Sequence, residues 1–537
     1  MATNALRGYN TVATPQNEKA APKQKKNAAG GYTFKVSDME YVLRFLILGT
    51  EGGTYYTDQK KLTKDAAKHT IEMAKTRSRE LVDLIVEVST SGRAPKNDQA
   101  IFALAIASSF GSTEDKKYAL SKLDQVCRTA THLFDFNSYV EQFRGRGRAL
   151  NTAVGQWYLS KTPDSVAFQA TKYRQRNGWT NADVLRLTKP VTHDPAMNAT
   201  FRWITKGVVT EDAPRIIEGF TKAQEAGADL PKLIETYGLA WEHLPTEALN
   251  DPKVWAALLD KGMPPTALMR NLPKLTNLGL LPQMGGYTAQ VSAALQDVEK
   301  LRKGRIHPVR VLLANRTYAS GRSLRGSSTW TPTRGIIDAL DAAFYNAYGA
   351  VEPANKRTLL ALDVSGSMGI RSAGDLGITA RDASAALALV QMATEPEVAV
   401  IGFTAGRGSS YSYGTRNAVT ELNISPRQRL SDAIKEVSDL PFGGTDCALP
   451  MQYALGKKMP VDTFVIYTDN ETWAGWQHPF QALEKYRREM GIDSKLIVVG
   501  ITATDSTITN PDDPGSLDVV GFDASVPNLI NDFSRGL

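Results

Sequence analysis

The chain has 537 residues, 42% of them hydrophobic and 22% charged, so it is too long for one core and too ordinary in composition to be fibrous or disordered. No apolar run is long enough to cross a bilayer, no secretory core opens the sequence, and Cys127 and Cys447 have neither disulfide-framework nor zinc spacing, which predicts a cytoplasmic protein without a membrane partner. The net charge of +7 is unevenly divided: residues 1–356 hold 48 Lys+Arg against 34 Asp+Glu, residues 357–537 hold 15 against 22, and a polyanion partner is expected for the first part alone.

Residues 1–30, rich in Ala, Asn, Gln and Lys without apolar periodicity, read as a flexible, weakly basic tail. From about 38 to 350 nearly every segment has helical character. Leu81, Leu84, Ile85 and Val88 follow the i, i+3, i+4, i+7 rule, and Val291, Leu295 and Val298 match three of its positions. Turns such as Ser91-Gly92, Phe110-Gly111 and Ala226-Gly227 punctuate the series. Short amphipathic helices that cannot bury their own faces imply an α-solenoid of stacked pairs over 31–356; an irregular helical globule is the alternative.

Two basic clusters stand out within this part. The helix beginning near Asp164 is expected to set Val166, Ala170 and Tyr173 on an apolar face, with Lys172 and Arg176 four apart on one flank, where paired cations suit a phosphate backbone. Arg174 lies in the same stretch. Arg144, Arg146 and Arg148 alternate with glycines between helices, an arrangement that aims cations outward. Trp157, Tyr173 and Trp179 read as core packing and not as base-stacking platforms.

The pattern changes at about residue 357. Apolar runs at Thr358–Leu362, Val398–Phe403, Thr463–Tyr467 and Leu496–Ile501 alternate with helical stretches near 377–393, 427–438 and 478–491. Parallel strands covered on both faces are the expectation, in a doubly wound, Rossmann-like α/β domain over 357–537. Ligands bind such sheets at the carboxyl ends of strands, where Asp363 and Asp469 fall. Asp363, Ser365 and Ser367 offer a carboxylate and two hydroxyls at alternate positions, Thr445 a third hydroxyl after Gly443-Gly444, and Asp469 a second carboxylate. Hard oxygen donors in this number suit Mg²⁺, which keeps several waters. The five positions resemble the metal-ion-dependent adhesion site of von Willebrand A domains. The alternatives are serines that merely cap a helix, or an aspartyl nucleophile at Asp363.

Longer strings carry a wider resemblance. Arg44 through Tyr56 (RFLILGTEGGTYY), Lys172 through Trp179 (KYRQRNGW), Arg305 through Pro308 (RIHP) and the stretch from Leu340 to Pro353 resemble the Ro autoantigen, or TROVE, family. Gly443–Asp446 and Thr468–Glu471 continue the likeness into the A domain. The resemblance implies a closed ring of HEAT-like helical repeats with an A domain across its ends. It implies Y or Y-like RNAs on the basic outer surface, with Lys172 and Arg176 as contacts and Lys189 at a position that is often His. Misfolded RNAs would enter a central hole by their 3′ ends. The expectation is a monomeric, non-catalytic RNA-binding protein acting in small-RNA quality control, with an exoribonuclease as protein partner and no DNA. A Mg²⁺-dependent nuclease and an adhesion-like module that grips a carboxylate are the rivals.

Overall fold

The computed structural model describes residues 12–49, 59–323, 326–349, 351–369, 378–405, 418–426, 428–438, 440, 443–502, 504–521 and 523–536. Of the string from Arg44 to Tyr56, residues 50–56 lie outside the described residues.

Between Asp38 and Asn346 the helices pack on their neighbours in sequence, as Ser78–Ser91 does on Asp98–Ala107, Arg215–Ala223 on Leu230–Tyr237, and Pro308–Ala319 on Arg334–Asn346. The helix Ser78–Ser91 shows the logic. Leu81, Ile85 and Val88 are buried on one stripe, and Gly92, at φ +81°, supplies the left-handed residue that ends it. A helix with one buried stripe cannot form a core alone, so stacking on its neighbours supplies it. One expected helix divides in two. Val291 and Leu295 are buried in Thr288–Gln296, but Asp297 caps a new helix, Val298–Lys303, accepting from the Lys300 amide at 3.0 Å, and this leaves Val298 exposed.

The array returns to its own beginning. His307 Nε2 lies 3.2 Å from the Arg93 carbonyl, 214 residues away, and Arg310 Nε donates to the Pro95 carbonyl at 2.7 Å. The helix Pro308–Ala319 thereby meets the turn that follows Ser78–Ser91, closing the helical ring.

Short strands fall where the sequence reading expected none. Short strands β1 (Gln24–Lys26) and β2 (Tyr32–Lys35) pair antiparallel. Strands β3 (Gln175–Arg176) and β4 (Trp179–Thr180) form a hairpin. The helix Pro163–Lys172 therefore stops before Arg176, and Lys172 and Arg176 do not share a helical flank. Asn177 at φ +51° and Gly178 at φ +79° make the two-residue turn, and two positive φ angles there match the right-handed twist of the paired strands.

The A domain is a six-stranded sheet in the order β11 (Ser516–Val520), β9 (Lys495–Gly500), β8 (Thr463–Thr468), β5 (Thr358–Asp363), β6 (Val398–Phe403), β7 (Val419–Glu421), parallel except for β7. Alternate residues of β5 point to opposite layers. Leu360 and Leu362 join the core shared with the later helices of the ring, while Leu359 and Ala361 join the one under Leu449–Gly456 and Pro479–Met490. The chain steps from β5 outward to β6 and later to β8 on the other side. The carboxyl ends of β5 and β8 therefore flank the topological switch.

Residues 12–30 are no free tail. Strand β2 also pairs with β10 (Ser506–Thr507), so the N-terminal segment is a strap laid over the A domain. Gln16 is buried there and donates through Nε2 to Asp446 Oδ1 at 2.7 Å. A Cβ on Gly31 would stand 2.0 Å from the Thr472 carbonyl, so only glycine permits this approach.

Two cations of the early helices enter the A domain. Arg44 is fully buried, pairs with Asp518 at 2.5 Å, and donates to the carbonyls of Thr504 at 2.9 Å and Ser506 at 2.8 Å. Arg93 lies 3.6 Å from the buried Asp523. On the far side Arg429 pairs with Asp338 at 2.5 Å, and the Leu430 amide donates to Asp341 at 3.1 Å. Removing Arg44 would strand Asp518 and two carbonyls. Arg44→Ala is expected to destabilise the protein by about 3–5 kcal/mol in denaturant titration, with loss below about 1 kcal/mol counting against this role.

Candidate metal centre and basic surface

Asp363 ends β5, and the next turn carries Ser365 and the short 3₁₀ segment Gly366–Gly369 with Ser367. Asp469 follows β8 directly. Thr445 stands on a loop tied to both, because the Gly366 amide donates to the Gly443 carbonyl at 3.2 Å and the Trp473 amide to the Thr445 carbonyl at 3.1 Å. The five expected side chains are thus brought together, and all are buried.

Their hydrogen bonds leave a specific deficit. Asp363 accepts from the Ser365 amide at 2.9 Å and from Thr468 Oγ1 at 2.7 Å. The Ser365 and Ser367 hydroxyls are 3.0 Å apart, and Ser367 also bonds Asp469. Asp469 Oδ1 accepts from the Glu471 amide at 3.0 Å. Among the described residues, Thr445 Oγ1 and Asp469 Oδ2 are buried with no hydrogen-bond partner. Buried oxygens left without partners are costly, and two of them beside a second carboxylate fit a hard divalent cation. Two carboxylates with hydroxyls are few charges for a cation, as suits Mg²⁺ with its retained waters.

Burial dominates the electrostatics. It raises Asp363 and Asp469 above the ordinary carboxyl range, and the charge of Asp469 pushes Asp363 further. Burial, then Asp469, lifts Glu471 to about 8, and burial lifts Asp446 to about 6. Several groups that the sequence reading passed over support the centre. Thr468 orients Asp363; Arg381 donates to the Val364 carbonyl at 2.8 Å and to the Ser365 carbonyl at 3.1 Å. The strap adds Gln16 on Asp446 and the Ala29 amide on Glu471 at 2.9 Å. Thr468 adjoins Asp469 and was within reach of a motif search, whereas Gln16 and Arg381 carry no local signal.

The basic residues divide into engaged and open groups. Lys172 pairs with Glu242 at 3.2 Å and lies over the Phe168 and Tyr173 rings. Arg176, 47% exposed, donates to the buried Asp135 at 2.8 Å, which also accepts from Asn177. Arg144 and Arg146 are not simply aimed outward: Arg144 donates to the Ser108 carbonyl at 2.9 Å, and Arg146 reaches Asn137 and Asn151 and lies over Trp179. Trp157 is core, with its Nε1 donating to the Cys127 carbonyl, but Tyr173 and Trp179 are only half-buried. Arg148, Arg174 and Lys189 are exposed and meet no carboxylate among the described residues. Arg174 lies over the Phe220 ring, and Lys189 ends the helix Asn181–Thr188 at φ +45°.

A closed array of stacked helices, joined to a doubly wound domain with this Asp-x-Ser-x-Ser centre, defines a TROVE ring protein with a von Willebrand A domain. Residues 25–230 and 232–320 match the TROVE domain, and residues 357–534 match the Ro60 vWA domain. The chain is 40% identical to the RNA-binding protein RO60 of Deinococcus radiodurans over 99% of both chains. It is 34% identical to the RNA-binding protein RO60 of Caenorhabditis elegans, over 97% of this chain and 91% of the relative. The crystal structure of the Deinococcus radiodurans RO (RSR) protein is similar at a TM-score of 0.70 and 40% identity, covering 93% of this chain and 100% of that one. The chain belongs to the Ro60 family.

The raised carboxyls bind protons more tightly folded than unfolded, so their ionisation removes stability as pH rises through the folded values. In EDTA, Asp363→Asn is expected to melt higher than wild type by about 2–4 °C or more, with the gain growing from about pH 5 to about pH 8. A gain that shrinks over that window would contradict the assignment.

Proposed function

We propose that this protein binds Y or Y-like small RNAs on the basic outer surface of its helical ring and receives misfolded or single-stranded 3′ ends in the ring's centre. It acts without catalysis as a ribonucleoprotein component in cytoplasmic small-RNA quality control, presenting RNA to an exoribonuclease. The observation that carries this is the whole-length likeness to proteins named RNA-binding protein RO60, joined to the surplus of basic residues before residue 357. Arg148, Arg174 and Lys189, exposed and without carboxylate partners among the described residues, supply phosphate contacts. Arg176 adds a cation already oriented by Asp135. Both cysteines are buried and unpaired, which suits a reducing compartment.

The absence of a catalytic role draws support from three of the six histidines. His243 accepts from the Ala240 amide, His307 from the Val309 amide, and His478 contacts Gln24, so each is committed to structure. Purified protein incubated with labelled RNA and Mg²⁺ should leave it intact. Cleavage by wild type that vanishes in Asp363→Asn would favour the nuclease instead.

In the A domain, Asp363, Ser365, Ser367, Thr445 and Asp469 would hold Mg²⁺, supported by the partnerless Thr445 Oγ1 and Asp469 Oδ2. A bound ion there would offer an open coordination position to a partner carboxylate. Asp363→Asn is expected to weaken Mg²⁺ binding by tenfold or more in calorimetry, roughly 1.4 kcal/mol, while leaving RNA affinity unchanged. Full metal affinity in that variant would remove the five-residue assignment.

The RNA surface is tested by Arg148→Ala combined with Lys189→Gly, glycine keeping the left-handed backbone at 189. Affinity for a structured small RNA should fall by about tenfold, and the slope of log affinity on log salt should become shallower by roughly 2. An unchanged slope in a variant with normal melting would place RNA elsewhere.

A further inference from the structure

The seam where the ring closes carries positive charge that its own residues do not neutralise. Arg305 follows the helix Val298–Lys303 and holds φ +48°, a left-handed conformation that strains any residue with a Cβ and is ordinarily left to glycine. Its Cβ lies 3.6 Å from the point a Cβ on Gly92 would occupy, so it sits against the turn ending Ser78–Ser91. Arg128 belongs to the early part of the array. It is half-buried, donates to Ser89 Oγ at 2.7 Å and to the Gln125 carbonyl at 3.2 Å, and so reaches the same end of Ser78–Ser91 against which Arg305 sits. Burial and then that like charge depress its pKa.

The late side extends the same field. Arg310 donates to the Pro95 carbonyl; burial and then the like charge of Arg270 disfavour its charged form, and Asp98 acts the other way. Arg93 is different, since it lies between Glu87 at 3.8 Å and Asp523 at 3.6 Å. Among the described residues no carboxylate forms an ion pair with Arg128, Arg305, Arg270 or Arg310. Guanidiniums that face each other across a joint oppose its closure, and an anion between them reverses the sign of that contribution. Arginine's planar fork takes phosphate oxygens two at a time, which suits a phosphodiester chain running along such a row.

We propose that the ring seam is an RNA-phosphate site. Arg128 from the early helices and Arg305 from the late ones share the phosphates of a bound RNA, Arg270 and Arg310 continue the track, and RNA occupancy holds the ring shut. This rests on the RNA-binding reading above and adds a location and a mechanical consequence to it. A strained backbone at Arg305 is retained because the position needs a cation, not a turn.

Full-length wild type, Arg128→Gln, Arg305→Gly and the double variant would be titrated with a labelled hairpin RNA bearing a single-stranded 3′ tail, over a range of salt. Hydrogen exchange would be followed at residues 93–98 and 306–310 with and without that RNA. Each single variant is expected to lose about fivefold or more in affinity, and the double variant's salt slope to become shallower by roughly 2. Arg305→Gly should keep or raise the melting temperature, because glycine accepts the left-handed backbone and the repulsion is gone; a merely structural role would lower it. Saturating RNA should slow exchange at the seam in wild type and leave it unaltered in the double variant. Unchanged affinity and slope in the double variant, or wild-type seam amides indifferent to bound RNA, would overturn the seam site alone. Wild type that fails to bind the probe would overturn the RNA-binding reading and the seam site together.

Discussion

Everything else in this molecule depends on the ionic docking of the helical ring onto the A domain. Arg44 reaches Asp518 and two carbonyls, and Arg93 approaches Asp523, at one side; Asp338 and Asp341 of the ring take Arg429 and the Leu430 amide at the other. The A domain therefore touches helices from both ends of the array while those ends also touch each other through His307 and Arg93. An open solenoid has two free ends that must be capped against solvent. Here each end is covered by the other and by the sheet domain.

That docking changes the meaning of the charge division. A basic first part and an acidic second part point to a polyanion partner, and part of that asymmetry is consumed within the chain, by guanidiniums seated on A-domain carboxylates. Buried pairs of this kind gain little over an apolar contact, but breaking one leaves an uncompensated charge, so they fix position more than they add stability. The cations that remain exposed and meet no carboxylate among the described residues, such as Arg148 and Lys189, are those not spent within the chain. The metal centre follows a parallel logic. Asp363 and Asp469 are held close in a buried cleft at the switch between β5 and β8, a placement that burial alone makes unfavourable and that a cation would offset.

The sheet was the most legible part of the fold. Strands β5, β6, β8 and β9 are covered on both faces and so appear as unbroken apolar runs, within a residue of their observed bounds. The edge strands β7 and β11 escaped because Val419–Glu421 is only three residues long and Ser516–Val520 is half-exposed and carries Asp518. At the metal centre the ligands sit within short motifs, and those were readable. Gln16 and Arg381 act across the fold, Gln16 over 430 residues of sequence to Asp446, and no local pattern announces such a partner. The hairpin at 175–180 is a different failure. Asn177-Gly178 is a strong turn signal, and the apolar face ending at Tyr173 drew the helix past it.

The strap of residues 12–35 holds the loops of the metal centre from outside: Gln16 touches Asp446 and Thr472, Asn27 touches the Thr472 carbonyl, and Ala29 touches Glu471. Pairing of β2 with β10, the Phe34–Phe480 ring contact and these polar bonds seat it on the A domain. Covalent attachment through the helix Asp38–Leu48 adds to those contacts a local concentration that no free peptide would reach. A nick between strap and helix would therefore remove no atom of the metal centre, yet it would turn a permanent brace into a dissociable one. The A domain's carboxylate loops would then answer to dilution, as an assembly of two chains does.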